Sequence, residues 1–235
     1  MAIVLLVRHA RSTANASGLL TGRQRGVHLD DVGREQAEAT AQRLAAVPLA
    51  RIVSSPMERT RETAKAIARA QSGDVRAGVD KGITECDYGE WQGQPLKDLM
   101  KHKLFKVVRT QPSAVVFPGG EAMAAMSARA SQTVRRLDAA VTAEHGPDAV
   151  WAAVSHGDPI KAILADALGL HLDQFQRLHV DPASVSIVRY TDESAYVLAT
   201  NSGAGDLSWL APKKGKRTRS HAPLVGGGAG PGTTS

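Results

Sequence analysis

Apolar residues in this chain come in short unbroken runs, separated by stretches with a helical repeat. Residues 3–7, "IVLLV", form the first run. It is too short for a helix and does not alternate, which predicts a strand buried on both faces. A loop rich in Gly, Ser and Asn follows. Residues 31–47 set Ala37, Ala41, Leu44 and Ala45 at helical spacing behind Asp30 or Asp31 as cap, and so predict a helix. "RIVSS" carries a second short strand at Ile52 and Val53. "SPMERTRETAKAIARA" then predicts a helix with Ser55 as N-cap and Pro56 at its first position. A third strand is predicted over 75–79.

Residues 86–120 break this rhythm with Gly89, Gly93, Pro95, Pro112, Pro118, Gly119 and Gly120. They read as an insert over one end of the domain, with a short helix near 96–108. Regularity returns with a long helix over 121–144 and a strand in "AVWAAVSH" (149–156). "GDPIKAILADALG" predicts a helix closed by Gly169, and "SVSIVRY" and "AYVLATN" a hairpin across 191–194. Strands alternating with helices predict an α/β fold with a mainly parallel sheet, as one domain over 1–210. From 211 the chain is basic, then rich in Gly, Pro, Ser and Thr, which predicts a disordered tail over 211–235.

Charge adds little to this picture. The 235 residues carry a formal net charge of +6. Five of the cations (Lys213, Lys214, Lys216, Arg217 and Arg219) lie in the tail, leaving 24 basic to 23 acidic residues in the remainder. A nucleic-acid partner is therefore disfavoured. Cys86 is the single cysteine, so neither an intrachain disulfide nor a cysteine-based zinc site is expected. The first apolar run is too short for a signal peptide, and nowhere do 18 apolar residues run together. A cytoplasmic location without membrane association is expected; a homodimer stays open.

Candidate chemistry gathers where strands end. In open α/β sheets, ligands bind outside the carboxyl ends of the strands. Arg8 and His9 end the first strand. Ser54 and Ser55 end the second, with Arg59 one turn into its helix. Glu85 follows the third, and Ser155 and His156 end the fourth, with Gly157 opening a helix. Two arginines, two histidines, Asn15 and a carboxyl group brought together suit a phosphoryl group. Arginine forks match phosphate oxygens, and a neutral imidazole can attack phosphorus. The helix opening at Gly157 adds backbone N–H groups.

These residues fall in motifs. "RHARSTAN", "SSPMERTRETA", "ITECDYGEWQGQ" and "VSHGD" resemble, in order, the four motifs of the histidine phosphatase superfamily, phosphoglycerate mutase-like branch. The resemblance runs from residue 3 to about residue 201 and implies a three-layer α/β/α architecture. It implies that His9 attacks phosphorus and carries a covalent phosphohistidine, and that Arg8, Arg59 and His156 clamp the phosphoryl oxygens. Asn15 would add a neutral donor, and Glu85 would protonate the leaving group and then help activate water. Thr21, Gly22 and Gly157 would contact substrate. No metal or other cofactor is implied, and the substrate would be a small phosphorylated metabolite.

Ala10 departs from the pattern, which carries glycine after the histidine. If that position needs a left-handed backbone, placement of the nucleophile suffers. The insert lacks the arginine pair, tyrosine and proline run of the mutases, and ends in "FPGGEA", similar to the "PGGES" of phosphatase members. Hydrolysis of phosphate monoesters is therefore the leading expectation. A mutase-type phosphotransfer and a non-catalytic phospholigand-binding domain are the alternatives. Asp158 most simply serves the start of its helix, with Pro159 at the first position.

Overall fold

The computed structural model describes residues 1–203 and Gly226. Six strands form the main sheet: β1 (Ile3–Arg8), β3 (Arg51–Ser54), β4 (Ala77–Val79), β6 (Val150–Ser155), β7 (Val185–Tyr190) and β8 (Ala195–Ser202). Their order is β4-β3-β6-β1-β7-β8. The pairs β4–β3, β3–β6 and β6–β1 are parallel, and β1–β7 and β7–β8 antiparallel. β2 (Leu19–Leu20) and β5 (Gln94–Pro95) form a separate two-stranded antiparallel sheet that the sequence pattern does not announce.

The continuous hydrophobicity of β1 has a direct cause. Val4 and Leu6 face one apolar layer, with Val134 and Val141 of helix α6 (Met123–His145) and Ile160 and Ile163 of helix α7 (Gly157–Ala167). Leu5 and Val7 face the other, with Ala37 and Ala41 of helix α2 (Asp31–Leu44) and Ala64 and Ile67 of helix α3 (Glu58–Ala70). With both faces covered, no position on the strand can be polar until it ends at Arg8.

Several element starts differ from the sequence reading. The loop after β1 contains a short helix, α1 (Thr13–Ser17), held by a capping box between Ser12 and Asn15. α3 begins at Glu58 with Met57 as an N-cap that offers no side-chain hydrogen bond; Ser55 does not cap it. α7 begins at Gly157, so Pro159 is its third residue rather than its first. β4 is a three-residue exposed edge strand, and a 3-10 turn over Lys81–Ile83 separates it from Glu85.

Residues 86–120 fold into short pieces, including α4 (Leu96–Leu99) and α5 (Lys103–Thr110) where one helix was expected. Tyr88, Trp91, Phe105 and Phe117 build an apolar cluster of their own against Met123 and Met126 of α6 and Ala162 and Ala165 of α7. The predicted tail over 211–235 lies outside the described residues apart from Gly226. No helix among the described residues is long and apolar enough to cross a membrane.

Candidate active site

Parallel pairing of β1 with β6 sets Arg8 beside Ser155, and the His9 N–H donates to the Ser155 carbonyl at 2.9 Å. The two strands thus deliver His9 and His156 side by side, ring centroids 5.2 Å apart at 64°. Arg59, the second residue of α3, reaches between them. Its Nε donates to His9 Nε2 at 3.3 Å, and its Nη2 to His156 Nδ1 at 3.2 Å and to the Gly22 carbonyl at 2.8 Å. Its Nη1 is buried without a hydrogen-bond partner.

These contacts fix both tautomers. His9 Nδ1 lies 2.8 Å from the Ala10 carbonyl, which can only accept, so the proton sits on Nδ1 and the lone pair on Nε2. His156 Nδ1 accepts from Arg59, so its Nε2–H donates to Ser55 Oγ at 2.7 Å. The serine expected to cap α3 orients the second imidazole instead.

Gly22 carries the carbonyl that Arg59 uses, with φ at +52°. A Cβ there would lie 2.9 Å from the Tyr88 ring, so both the backbone conformation and the close approach require glycine. Thr21 sits beside it. Asn15 enters the region differently from expectation. Its Oδ1 accepts from the Ser12 N–H at 3.0 Å and the Ser12 hydroxyl at 2.9 Å. Only its Nδ2 remains for the expected phosphate contact.

Glu85 is held by residues the sequence reading missed. Arg129 of α6 donates to the carbonyls of Gly82 (2.8 Å), Thr84 (2.7 Å) and Glu85 (3.0 Å), and to the Glu121 carboxylate at 2.6 Å. Arg23 donates to the same Glu85 carbonyl at 3.0 Å and to Glu121 at 2.9 Å. Ser155 Oγ adds a bond to the Ile83 carbonyl at 2.7 Å. Glu121 belongs to the quoted "FPGGEA", the one sequence signal that pointed to this network; nothing marked Arg129.

Burial sets the electrostatics. Burial, reinforced by Arg59 and Arg8, pushes His9 well below the usual histidine range, and the same causes with His9 itself depress His156. Both rings are therefore neutral at pH 7. Burial first, then the Asp158 charge, raises Glu85 to about 7 despite the Cys86 N–H, Arg59 and Arg8. Burial lowers Arg8 to about 10. One site thus holds two neutral imidazoles, a carboxyl group that can hold a proton near neutral pH, and two guanidinium groups.

The site is closed: His9 is 3% exposed and Arg8, Arg59, Glu85 and His156 no more. Arg8 Nη1 donates to the Val180 carbonyl at 2.8 Å and Nη2 to the Gly226 carbonyl at 3.2 Å. The Gly226 N–H donates to Asp158 Oδ2 at 3.3 Å. The Asp158 carboxylate accepts from the Tyr88 hydroxyl at 2.7 Å and lies 3.9 Å from Lys161 Nζ one turn along its own helix. Asp158 is the acid of the first turn of α7, as expected, and it also reaches beyond that helix to Tyr88 and Gly226. Ala10 lies outside the left-handed region and is fully buried, so alanine fits this backbone without strain. An open groove of about 680 Å3 between α3 and β4 is lined by none of the five expected catalytic side chains. Among the described residues, no group of three or more His, Cys, Asp or Glu is arranged to hold a metal ion.

Residues 4–203 match the family model described as "Histidine phosphatase superfamily (branch 1)". A protein of Hydrogenobacter thermophilus named "Phosphoserine phosphatase 1" is 32% identical over 206 residues, covering 86% of this chain and 92% of that one. A Yersinia enterocolitica protein named "Probable phosphoglycerate mutase GpmB" is 30% identical over 213 residues, covering 88% and 94%. The structure of a mycobacterial glucosyl-3-phosphoglycerate phosphatase superposes with a TM-score of 0.76 over 86% of this chain and 99% of that one; at 24% identity it bears on the fold alone.

Proposed function

The chain belongs to the histidine phosphatase superfamily, and from that footing we propose that it hydrolyses phosphate monoesters, without a metal, through a phosphohistidine on His9. The observation that carries this reading is the His9 ring: neutral, its proton held on Nδ1 by Ala10, its Nε2 lone pair turned toward Arg59.

Nε2 forms the bond to phosphorus as the bond to the ester oxygen breaks, and the Glu85 carboxyl group gives its proton to that oxygen. The departing alcohol leaves a phosphoimidazole and a Glu85 carboxylate. The carboxylate then takes a proton from water, whose oxygen attacks phosphorus; the P–N bond breaks, and orthophosphate leaves with His9 neutral again. Arg8 and Arg59, including its unpartnered Nη1, stabilise charge on the transferring oxygens. The Ser55 hydroxyl can donate to His156 Nε2 as well as accept. Once phosphate draws Arg59 away, His156 turns an Nδ1–H toward an oxygen. Asn15, through Nδ2, and the backbone at Thr21, Gly22 and Gly157 complete the contacts in this reading.

The absence of a mutase-type arginine pair in the insert supports water over a second alcohol as acceptor. A small phosphorylated metabolite in the cytoplasm is the substrate this reading implies. The test is release of p-nitrophenol from p-nitrophenyl phosphate with EDTA present, beside His9→Ala, and a 2-/3-phosphoglycerate interconversion assay. EDTA-resistant turnover lost in the variant supports the reading. Equal activity in the variant refutes the nucleophile, and interconversion with little hydrolysis refutes the phosphatase.

A further inference from the structure

The tautomer of His9 depends on one carbonyl, and that carbonyl is held from outside the site. His9 Nδ1 donates to the Ala10 oxygen at 2.8 Å. The same planar peptide unit carries the Arg11 N–H on its other side. β1 has ended at Arg8, so the sheet ladder no longer serves that N–H. Gln36 of α2 takes it instead, through Oε1 at 3.0 Å. A backbone N–H can only donate, so its partner settles which way the Gln36 amide points.

The surroundings leave this arrangement little freedom. Gln36 lies on the face of α2 that carries Gly33, Ala37 and Thr40, all buried. A Cβ on Gly33 would come within 1.8 Å of the Arg11 carbonyl oxygen, so the helix and residue 11 touch backbone to backbone. The Asp30 N–H donates to that oxygen at 3.3 Å, and Arg11 Nε donates to Asp30 Oδ2 at 2.8 Å. On the other side of Ala10, its own N–H donates to Thr63 Oγ1 at 3.1 Å. Without an acceptor at position 36, the Arg11 N–H would turn to find another, and the Ala10 carbonyl would turn with it. Hydrogen bonds in such a chain also polarise one another. Electron density drawn to the Ala10 oxygen strengthens its hold on the Nδ1 proton and makes Nε2 a better electron donor. Burial first, then Arg59 and Arg8, depress His9, and the Ala10 carbonyl opposes them.

We propose that Gln36 is a positioning residue for the nucleophile: it sets the plane of the Ala10–Arg11 peptide, and through it the orientation and electron supply of His9. The proposal rests on the hydrolytic reading and deepens it. Gln36 touches neither substrate nor the reacting atoms. It does for His9, through one peptide unit, what a directly bonded carboxylate does for the histidine of a serine-type triad, and it does so without a buried charge.

The test pairs steady-state kinetics on p-nitrophenyl phosphate with the downfield proton NMR signal of His9 Nδ1–H, identified by its absence in His9→Ala. Gln36→Leu should lower kcat about tenfold or more with KM changed less than about twofold, the pattern of a misplaced reacting group. The Nδ1–H signal should move upfield in the same variant. Gln36→Glu keeps an oxygen acceptor and should recover most of kcat and of the signal position. An unmoved signal or an unchanged kcat in Gln36→Leu overturns the proposal, as does an equal loss in Gln36→Glu. Should Gln36→Leu fail to fold, Gln36→Asn, whose amide sits one carbon shorter, must show the paired change or the proposal falls. A full chain that does not turn over p-nitrophenyl phosphate would remove the hydrolytic reading; the signal in Gln36→Leu then decides alone whether Gln36 holds the ring.

Discussion

Arg59 donates through Nε to His9 and through Nη2 to His156, so one guanidinium group ties together the two imidazoles that β1 and β6 deliver. A lysine has the charge but no planar fork, and cannot hold both rings and the Gly22 carbonyl at once. We predict that Arg59→Lys lowers kcat for p-nitrophenyl phosphate by about a hundredfold or more, the scale of losing preorganised donors to a transition state. Near-normal kcat with raised KM would mean that Arg59 serves ground-state binding alone.

Glu85, raised to about 7 by burial and by Asp158, must be protonated to act as an acid. For an alkyl phosphate, kcat/KM should fall tenfold per pH unit above about 7, while His9 stays neutral down to well below its ordinary value. Glu85→Gln should remove that basic limb and leave any limb due to the substrate. Linkage adds a stability signature. A folded pKa above the unfolded one gives a contribution present below the unfolded value and lost as pH rises through 7. Glu85→Gln should therefore raise the melting temperature at pH 8 relative to wild type, with little change at pH 4. A lower melting temperature for the variant at pH 8 would contradict the burial-driven shift.

Arg129 donates to the carbonyls of Gly82, Thr84 and Glu85 and to the Glu121 carboxylate. Removing charge-assisted bonds of this kind costs about 2 kcal/mol or more of stability. Arg129→Ala should show that loss in urea unfolding, and should also lower kcat and flatten the basic limb of the pH profile, because the carboxyl group loses its position. A loss of stability with an unchanged pH profile would make Arg129 a scaffold residue only.

Ala10→Gly should not raise turnover, since Ala10 already holds an ordinary backbone conformation. It should cost about 1 kcal/mol through added freedom of the unfolded chain and a lost buried methyl group. Faster turnover in the glycine variant would show that the methyl group hinders the nucleophile.

The strand ends were legible because burial on both faces forces β1 and β6 to be apolar up to the sheet edge, where Arg8, His9 and His156 stand out. Glu85 was legible from its motif but not from its element. β4 is short and exposed, and the segment that carries Glu85, just past a 3-10 turn, is held by Arg129, which lies 44 positions along the chain. Ser55 looked like a helix cap because its sequence surroundings suit one; a long-range partner, His156, took the hydroxyl instead. For Asp158 the local pattern told only part: it does sit in the first turn of α7 near Lys161, but its hydrogen-bond partners, Tyr88 and Gly226, are remote.

The bond from Arg8 to the Gly226 carbonyl is made by a group on the same chain. A ligand that engages Arg8 Nη2 competes with this tethered rival, whose effective concentration does not fall when the protein is diluted. An apparent dissociation constant then contains the free energy of evicting that rival, whatever the intrinsic complementarity of the newcomer. Anything fused close behind residue 226, an affinity tag included, becomes a variable in the measurement of affinity rather than a neutral handle.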